Sequence, residues 1–195
     1  MLITVISSYY IYKRKRALCI TFGGKSKMIG QSKSNIIPLF DQDFSNIVKE
    51  LINAAKRKIY ITTYKFEPKS TPSAQRINAI VEALFVANVR KADIRILLNF
   101  YENHKATSNI NWYAARIFQK NGIIAKYQTS GRTLHQKLIL IDDVYVIAGS
   151  HNLSVKSLAE NIELSFLIQD DIIYKESETK FLKLWETAKD FPWSK

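Results

Sequence analysis

The chain has 195 residues, of which 47% are hydrophobic; this suits one domain with its own core, and a second small unit is a lesser expectation. There are 29 Lys and Arg residues against 17 acidic ones, so the net charge is +12. This charge favours a nucleic-acid or anionic-membrane partner, with ordinary solubility charge as the alternative. A single cysteine, Cys19, excludes an internal disulfide and a cysteine-based zinc site, and three histidines argue against a histidine-rich one. We therefore expect chemistry without metal or cofactor.

The N-terminal segment is apolar and ends in a basic run. Met1–Tyr12 is mostly apolar, and Lys13–Arg16 is entirely basic. The apolar part is shorter than the ~20 residues that a membrane-spanning helix needs, and its charge follows it, unlike that of a signal peptide. Its β-branched and aromatic residues favour a strand, and the alternative is the trimmed end of a membrane anchor. We expect residues 1–34, including a Gly/Ser-rich loop over 23–34, to be separate from a domain of residues 35–195.

Strand-like and helix-like segments alternate from residue 35 onward. Short β-branched and apolar runs predict strands over residues 35–40, 58–66, 93–100, 123–127, 134–141, 144–148 and 162–168. Apolar residues at the helical period predict helices from a cap at Asp41 or Asp43 to about residue 56, and over 73–91, 109–120 and 172–190. The acidic pair 142–143 predicts a hairpin turn. This alternation indicates an α/β fold in which a mixed β-sheet is covered by helices.

A histidine and a lysine lie two positions apart on one predicted strand. The side chains of His135 and Lys137 therefore point to the same face of the sheet. Asp142 has the opposite parity and lies at the turn, where we expect it to shape the hairpin or pair with a basic group. The imidazole and the ammonium together suit the binding of a phosphate and its attack by the imidazole.

The second strand of the hairpin ends in Gly149 and Ser150. Their position brings the Ser150 hydroxyl and the Asn152 amide beside the first strand, which carries His135 and Lys137. Both groups donate well to phosphate oxygens. Taken singly, each of these residues has an ordinary structural explanation, but no packing argument requires all of them at this spacing. His104 and His151 are expected to be structural or surface residues.

The pattern HxKx4Dx6GSxN, which begins at His135, resembles the signature of the phospholipase D superfamily. The chain is most similar to the small bacterial and mitochondrial nucleases that carry one copy of the motif, and the resemblance covers roughly residues 35–190. It implies a phospholipase D-like fold in which His135 attacks phosphorus and forms a phosphohistidine. A second histidine must protonate the leaving oxygen, so the resemblance implies a symmetric homodimer with a shared active site.

The resemblance also assigns roles to individual residues. The implied catalytic set is His135, Lys137, Asp142, Asn152 and Glu163. The implied phosphate-binding groups are Lys137, Ser150 and Asn152. The proposed role of Glu163 is to orient the nucleophilic imidazole. Glu160 is the competing choice, and either acid has an ordinary alternative as an exposed charge at the start of a strand.

Members of the superfamily split phospholipids, join lipid head groups or cut nucleic acids. Nearby basic residues favour a nucleic acid and are predicted to bind it: Arg132, Lys156, Lys126 and Lys120. Trp112, Tyr113 and Tyr127 accompany them, either as platforms for base stacking or as core residues. The short chain also leaves little room for a pocket that holds acyl chains.

The leading prediction is a metal-independent phosphodiesterase that cuts DNA or RNA internally, with single strands favoured. The alternative is a phosphodiesterase of phospholipids such as cardiolipin or phosphatidylcholine, associated with a membrane through the N-terminal segment. A third hypothesis is a nucleic-acid binder without catalysis. The location of the protein, cytoplasmic or membrane-associated, stays open.

Overall fold

The computed structural model describes the backbone of residues 3–6, 9–14, 17–22, 25–29, 35–101, 105–128 and 131–191, with side chains from residue 36 onward except at residue 105. Four N-terminal strands form an antiparallel sheet in chain order: β1 (Ile3–Ile6), β2 (Tyr9–Arg14), β3 (Ala17–Phe22) and β4 (Lys25–Ile29). The strand preference of the N-terminal segment is confirmed over residues 3–6 and 9–12. The loop expected over 23–34 is wrong at β4, because backbone pairing with β3 does not depend on side-chain polarity.

The remaining strands form one mixed sheet. They are β5 (Asn35–Phe40), β6 (Lys58–Thr63), β7 (Asp93–Leu98), β8 (Ile124–Tyr127), β9 (Leu138–Ile141), β10 (Tyr145–Gly149), β11 (Leu164–Gln169) and β12 (Lys189–Asp190). Their order across the sheet is β12-β8-β7-β6-β9-β10-β11-β5. Strands β6, β7 and β8 are parallel, and the other neighbouring pairs are antiparallel. The predicted mixed α/β architecture is confirmed.

Helices cover both faces of this sheet. They are α1 (Gln42–Ala54), α2 (Gln75–Val89), α3 (Lys105–Lys120), α4 (Val155–Ala159) and α5 (Asp171–Thr187). The larger core packs α1 to α4 against one face through residues such as Ile61, Leu84 and Phe118. The smaller core packs Tyr174 and Phe181 of α5 against the other face. Sequence periodicity missed α4, because a helix of five residues is too short to show it.

The hairpin of β9 and β10 differs from its prediction at one end. Asp142 and Asp143 have φ angles of 55° and 61°, as a two-residue hairpin turn requires, so the predicted turn is confirmed. The first strand begins at Leu138 rather than at Leu134. The Leu134 N–H donates to the side-chain oxygen of Asn99 at 3.0 Å instead of to a neighbouring strand. His135 and Lys137 therefore lie in an extended segment that leads into β9.

One edge of the sheet collects the polar residues of the motif. The carboxyl ends of β5, β6, β7, β8 and β10 meet at this edge, because β9 and β11 run antiparallel to their neighbours and begin there. Residues that follow the first group of strands therefore face residues that precede β9 and β11. Ligand sites of open α/β sheets commonly lie at such carboxyl ends. The sheet topology thus gathers segments that are far apart in the sequence.

Candidate active site

His135 and Lys137 contact each other directly. The His135 side chain is exposed, and that of Lys137 is half-buried. The Lys137 Nζ lies 3.2 Å from the imidazole Nδ1 and donates a 2.8 Å hydrogen bond to the His135 carbonyl oxygen. Desolvation lowers the pKa of Lys137, and the nearby carboxylate of Glu163 offsets part of this effect. The sequence spacing thus brings an accessible imidazole and an ammonium together.

The ring of Tyr64 packs against both members of this pair. Its centroid lies 5.0 Å from that of the His135 imidazole, with an angle of 55° between the ring planes. The Lys137 Nζ lies 5.6 Å from the same tyrosine centroid, which is within the range of a cation–π interaction. Tyr64 is the first residue after β6 and is half-buried, so the sheet fixes its position beside the reactive groups.

The turn after β10 supplies a hydroxyl and an amide. The Ser150 hydroxyl donates to a carboxylate oxygen of Glu163, and its oxygen accepts the Leu164 N–H at 3.1 Å. The Asn152 side-chain oxygen accepts the Lys65 N–H at 3.2 Å. Because that bond uses the oxygen, the Asn152 NH₂ group is directed elsewhere and has donors to offer a ligand.

Glu163 is held in place by groups of its own turn. One of its oxygens accepts the Ser157 hydroxyl at 2.7 Å and the Asn161 amide at 3.0 Å, and the other accepts Ser150. Partial burial alone raises the pKa of Glu163, but the hydrogen bonds from Ser150, Asn161 and Ser157 outweigh it and hold this pKa below its ordinary 4.5. The carboxylate is therefore ionised at neutral pH. Glu160, the competing acid, lies exposed at the end of α4.

The exposed Asp41 and the buried His151 together support this turn. The Asp41 carboxylate accepts the Glu163 N–H at 2.9 Å, and the Asp41 N–H donates to the Glu163 carbonyl oxygen at 3.1 Å. Asp41 occupies the N-cap position of α1, one of the two positions predicted, but its side chain makes no capping hydrogen bond. Its carboxylate bonds the Glu163 N–H instead. His151 bonds the Asp41 carbonyl oxygen through Nε2 at 3.0 Å.

His151 is buried and has the structural role expected of it. Its Nδ1 lies 2.8 Å from the Ser165 hydroxyl, and its ring stacks on Phe44 with centroids 4.2 Å apart. A carbonyl only accepts, so Nε2 carries a proton and Nδ1 accepts from Ser165. Burial lowers the pKa of His151, against the opposing effects of Asp41 and Glu163, and the ring stays neutral at pH 7.

Gly149 lets β10 and β11 approach closely beside the site. A Cβ atom at this position would lie 2.3 Å from the Ser165 Cα and 2.5 Å from the Leu164 carbonyl oxygen. No side chain fits at these distances, because both neighbours belong to the backbone or are fixed to it. The glycine of the motif therefore sets the spacing between the strands that carry Ser150 and Glu163.

The structure does not bring Asp142 to His135. Seven residues of extended chain at ~3.3 Å each place the two about 20 Å apart, at opposite ends of β9. The Asp142 carboxylate accepts the backbone N–H groups of Lys56, Arg57 and Lys58 at 2.7, 2.8 and 3.0 Å. It thus fixes the connection between α1 and β6, in line with the structural role that its parity predicts.

The basic residues predicted to bind nucleic acid divide into two groups. Arg132 precedes the His135 segment and Lys156 lies on α4 after the motif; both are exposed at the edge that carries the site. Lys120 ends α3 and lies at the opposite edge of the sheet, before β8. Lys126 lies three strands from β9, roughly 14 Å away, and its Nζ is 5.1 Å from the ring centroid of Trp185. The last two are therefore remote from His135.

The three aromatic residues proposed as stacking platforms also differ. Tyr127 packs between Phe100 and Phe191, with centroids 4.9 and 5.2 Å away, so it belongs to an aromatic cluster. Trp112 packs against the larger core and contacts Arg116. Tyr113 has an exposed side chain on α3. Only Tyr113, of these three, presents a largely accessible ring.

The sequence did not indicate that four further residues belong to the site: Asp41, Tyr64, Asn99 and Asn111. The first three each follow a strand directly, so the rule that sites lie at the carboxyl ends of strands could have found them. Asn111 interrupts the apolar face of α3, and a polar residue there is itself a signal of a buried hydrogen-bond role.

Two further features concern metals and membranes. Within residues 36–101, 106–128 and 131–191, no group of three or more His, Cys, Asp or Glu side chains is arranged to hold a metal ion. In the same part of the chain, no helix combines the length and the apolar character needed to cross a bilayer.

An accessible imidazole and ammonium lie on the same side of this fold as a hydroxyl, an amide and an ionised carboxylate, and such a set of groups can bind and attack a phosphate. Residues 48–185 match the family described as cardiolipin synthase, PLD-like domain. The chain belongs to this family and so to the phospholipase D superfamily of phosphodiester-acting enzymes. The resemblance seen in the sequence is confirmed.

Individual relatives agree with this assignment. The chain is 33% identical over 148 residues to cardiolipin synthase A of Pseudomonas fluorescens, an alignment that covers 72% of this chain and 28% of that protein. It thus spans little more than a quarter of that relative's length. Nuc, a phospholipase D family member from Salmonella typhimurium, superimposes with a TM-score of 0.66 at 21% identity and covers 83% of this chain and 100% of Nuc. NucT from Helicobacter pylori gives a TM-score of 0.63 at 18% identity, covering 80% and 100%. The predicted fold is confirmed.

Proposed function

We propose that this protein is a phosphodiesterase of nucleic acids that works through a phosphohistidine and needs no metal. The observation that carries the proposal is the exposed His135 imidazole with the Lys137 ammonium 3.2 Å from its Nδ1, in a chain of net charge +12. The imidazole is a nucleophile, and the ammonium stabilises the negative charge that develops on the phosphoryl oxygens.

The reaction begins with attack of His135 on phosphorus. The N–P bond forms as the bond from phosphorus to the leaving oxygen breaks. Attack through Nε2 requires a lone pair on that nitrogen, so the proton of the neutral ring lies on Nδ1. A protonated Nδ1 can no longer accept a hydrogen bond from the Lys137 ammonium. The ammonium then bonds the charged oxygens of the phosphate, which are stronger acceptors. Lys137 and Asn152 together hold those oxygens. Water later attacks the phosphorus, the N–P bond breaks, and the imidazole and the phosphate product are released.

A second acid is needed to protonate the leaving oxygen. In the described part of the chain, His135 has the accessible imidazole, since His151 is buried, and His104 lies outside the described residues. We infer that a second copy of the chain supplies its own His135 across a two-fold axis. In that shared site, Glu163 is the candidate to orient an imidazole, because it is ionised and lies close enough to influence Lys137.

An exposed apolar face beside the site supports this assembly. It is formed by Ile36, Phe40, Leu164 and Phe166 of β5 and β11, with Phe40 54% and Phe166 38% exposed. Leu164 pairs with Phe40 in the register of the two strands, so these side chains project from the same face. The face begins next to Glu163, and its burial against a second copy would remove apolar surface from water at the edge that carries the reactive groups.

Sedimentation velocity tests the assembly directly. We expect the wild type to sediment at twice the chain mass, and Phe166→Lys to give monomers with little activity. Val86→Lys is the matched control, because Val86 is half-exposed on α2, which covers the opposite face of the sheet. A monomeric wild type that is fully active would contradict the shared site.

The groove beside His135 supports a hydrophilic substrate. It has a volume of about 450 Å³, and its lining includes the polar and charged side chains of Gln136, Glu176 and Lys180 beside a few small or apolar residues such as Leu138 and Ala148. Acyl chains need an apolar lining, whereas the sugar and phosphate groups of a nucleic acid need hydrogen-bonding partners. Arg132 and Lys156 extend the positive charge on either side of the motif.

Labelled single- and double-stranded DNA and RNA, incubated with excess EDTA, test the nuclease proposal. We expect internal cutting by the wild type, with single strands preferred, and none by His135→Ala. Cutting that persists in the variant or stops with the chelator would refute the mechanism. Salt-dependent binding without any cutting would instead identify a binder.

Hydrolysis of phospholipids is the second candidate function. It is favoured by the similarity to cardiolipin synthases and by an apolar side chain next to Glu163, that of Ile162, which is 98% exposed. Thin-layer chromatography of cardiolipin and phosphatidylcholine vesicles after incubation separates the two candidates. Lipid turnover that His135→Ala abolishes, without any cutting of nucleic acid, would replace the first proposal.

A further inference from the structure

Tyr64 has a geometric relation to the reactive pair that motif residues alone do not explain. Its ring contacts the His135 imidazole on one side and lies 5.6 Å from the Lys137 ammonium. His135 is exposed and, without this contact, its side chain has several staggered rotamers available. The ring of Tyr64 therefore packs against the imidazole and limits the positions that the imidazole can occupy.

Buried amides hold Tyr64 from behind. The side-chain NH₂ group of Asn111 donates to the Tyr64 carbonyl oxygen at 2.8 Å, and its oxygen accepts the Phe66 N–H at 2.8 Å. Asn111 is fully buried, so these bonds are shielded from water. The backbone on both sides of Lys65 is thus fixed, and with it the direction in which the Tyr64 side chain leaves the sheet.

The same amides connect Tyr64 to the segment of the nucleophile. Asn111 also donates to the Asn99 carbonyl oxygen at 2.6 Å, and the Asn99 side chain accepts the N–H of Leu134, the residue before His135, at 3.0 Å. The backbone of Tyr64 and the backbone just before His135 are therefore both hydrogen-bonded to one buried pair of amides, Asn111 and Asn99. Their relative position is set by the core rather than by the exposed segment.

We propose that Tyr64 is a positioning residue for His135 and Lys137, an inference that rests on the proposed function. Its ring limits the imidazole to the rotamer that points a nitrogen at phosphorus. Its electron-rich face also attracts the Lys137 ammonium after this group leaves Nδ1 for the phosphate. Tyr64 acts through these two side chains, so its ring matters and its hydroxyl does not.

Kinetics on bis(p-nitrophenyl) phosphate test this role, because a small diester reports on chemistry whichever natural substrate is correct. We expect Tyr64→Phe to keep the wild-type kcat, and Tyr64→Leu to lose about 10- to 100-fold in kcat, with a KM within about twofold. Ile124→Ala, which removes an exposed apolar side chain at the start of β8, is the control and should match the wild type. An unchanged kcat in Tyr64→Leu, or an equal loss in Tyr64→Phe, would overturn the proposal.

Nitrogen NMR of the His135 ring keeps the proposal testable without turnover. We expect one well-defined set of imidazole signals in the wild type and in Tyr64→Phe, and averaged signals in Tyr64→Leu, with the melting temperatures within a few degrees. If the wild type hydrolyses no diester but shows this NMR pattern, the proposed function fails and the positioning role stands. Identical signals in Tyr64→Leu and the wild type would refute the positioning role alone.

Discussion

The two sides of the candidate site differ in how the structure holds them. On the side of residues 149–165, Glu163 accepts hydrogen bonds from three side chains, and its backbone is paired with Asp41. On the side of residues 131–137, His135 is exposed and Lys137 rests against it. The supporting groups are therefore fixed in advance, whereas His135 and Lys137 can exchange hydrogen-bond partners when a phosphate arrives.

The two described histidines show the same contrast. His151 has both nitrogens bonded and its ring stacked, so it cannot approach a substrate. His135 has an accessible ring whose described contacts, Lys137 and Tyr64, can shift. Residue type alone does not distinguish them, and neither does proximity to the motif, since both lie in the same stretch of 17 residues. Accessibility of a ring nitrogen is what separates a nucleophile from a support.

Replacement of the two histidines is the strongest test of this contrast. We expect His135→Asn to lower kcat by about 10⁴-fold or more, with an unchanged melting temperature, because the side chain is exposed. His151→Asn should instead lower the melting temperature through lost buried hydrogen bonds and stacking, and keep most activity at low temperature. Diester hydrolysis and thermal unfolding measure the two effects. A catalytic loss in His151→Asn as large as that in His135→Asn would remove the distinction.

Lys137→Met tests the second member of the reactive pair. The methionine keeps the length of the side chain but removes the charge that stabilises the transition state, so we expect kcat to fall by about 10²- to 10³-fold. Lys175→Met, at an exposed position of α5, is the control for loss of one positive charge and should have little effect on a small diester. Equal rates in the two variants would show that Lys137 contributes only to the overall charge.

Gly149→Ala tests the rigidity of the supporting side. Its Cβ would meet the Ser165 backbone at 2.3 Å, so β10 and β11 must separate. We expect a loss of about 1–3 kcal/mol in the free energy of unfolding, the usual cost of overpacking, measured by urea denaturation. Gly131→Ala is the control: it meets no atom within 4 Å and has a φ of +69°, so it reports backbone strain alone. An equal loss in both variants would argue against close strand packing.

The smallest expected effect is the pH dependence of Glu163. Its pKa is lower in the folded chain than the ordinary 4.5, so its ionised form adds stability above the unfolded pKa. This contribution disappears as the pH falls through the folded pKa. The stability difference between the wild type and Glu163→Gln should therefore be present at pH 7 and vanish in strong acid, as urea denaturation at several pH values would measure. A difference that grows in acid would contradict an ionised, hydrogen-bonded carboxylate.

Much of this protein follows from its sequence. Apolar periodicity located the strands and helices of the main sheet to within a few residues, because burial of one face leaves a repeating pattern in the local sequence. The pair Asp142 and Asp143 gave the hairpin turn, since few residue types tolerate positive φ. The motif gave the family, because His135, Lys137, Gly149, Ser150 and Asn152 lie within one hairpin and its flanks, where spacing along the chain fixes spacing in space.

Other features were decided only by the tertiary structure. Asp41, Tyr64, Asn99 and Asn111 reach the site because the order of the strands brings together segments that are far apart in the chain. The same order removes Lys120 and Lys126 from the site, although they precede His135 by only 15 and 9 residues. Backbone pairing with the preceding strand β3 likewise formed β4 where the polar side chains had indicated a loop. Local patterns encode which residues are buried in an element, whereas neighbours across a sheet depend on the whole topology, which no short stretch contains.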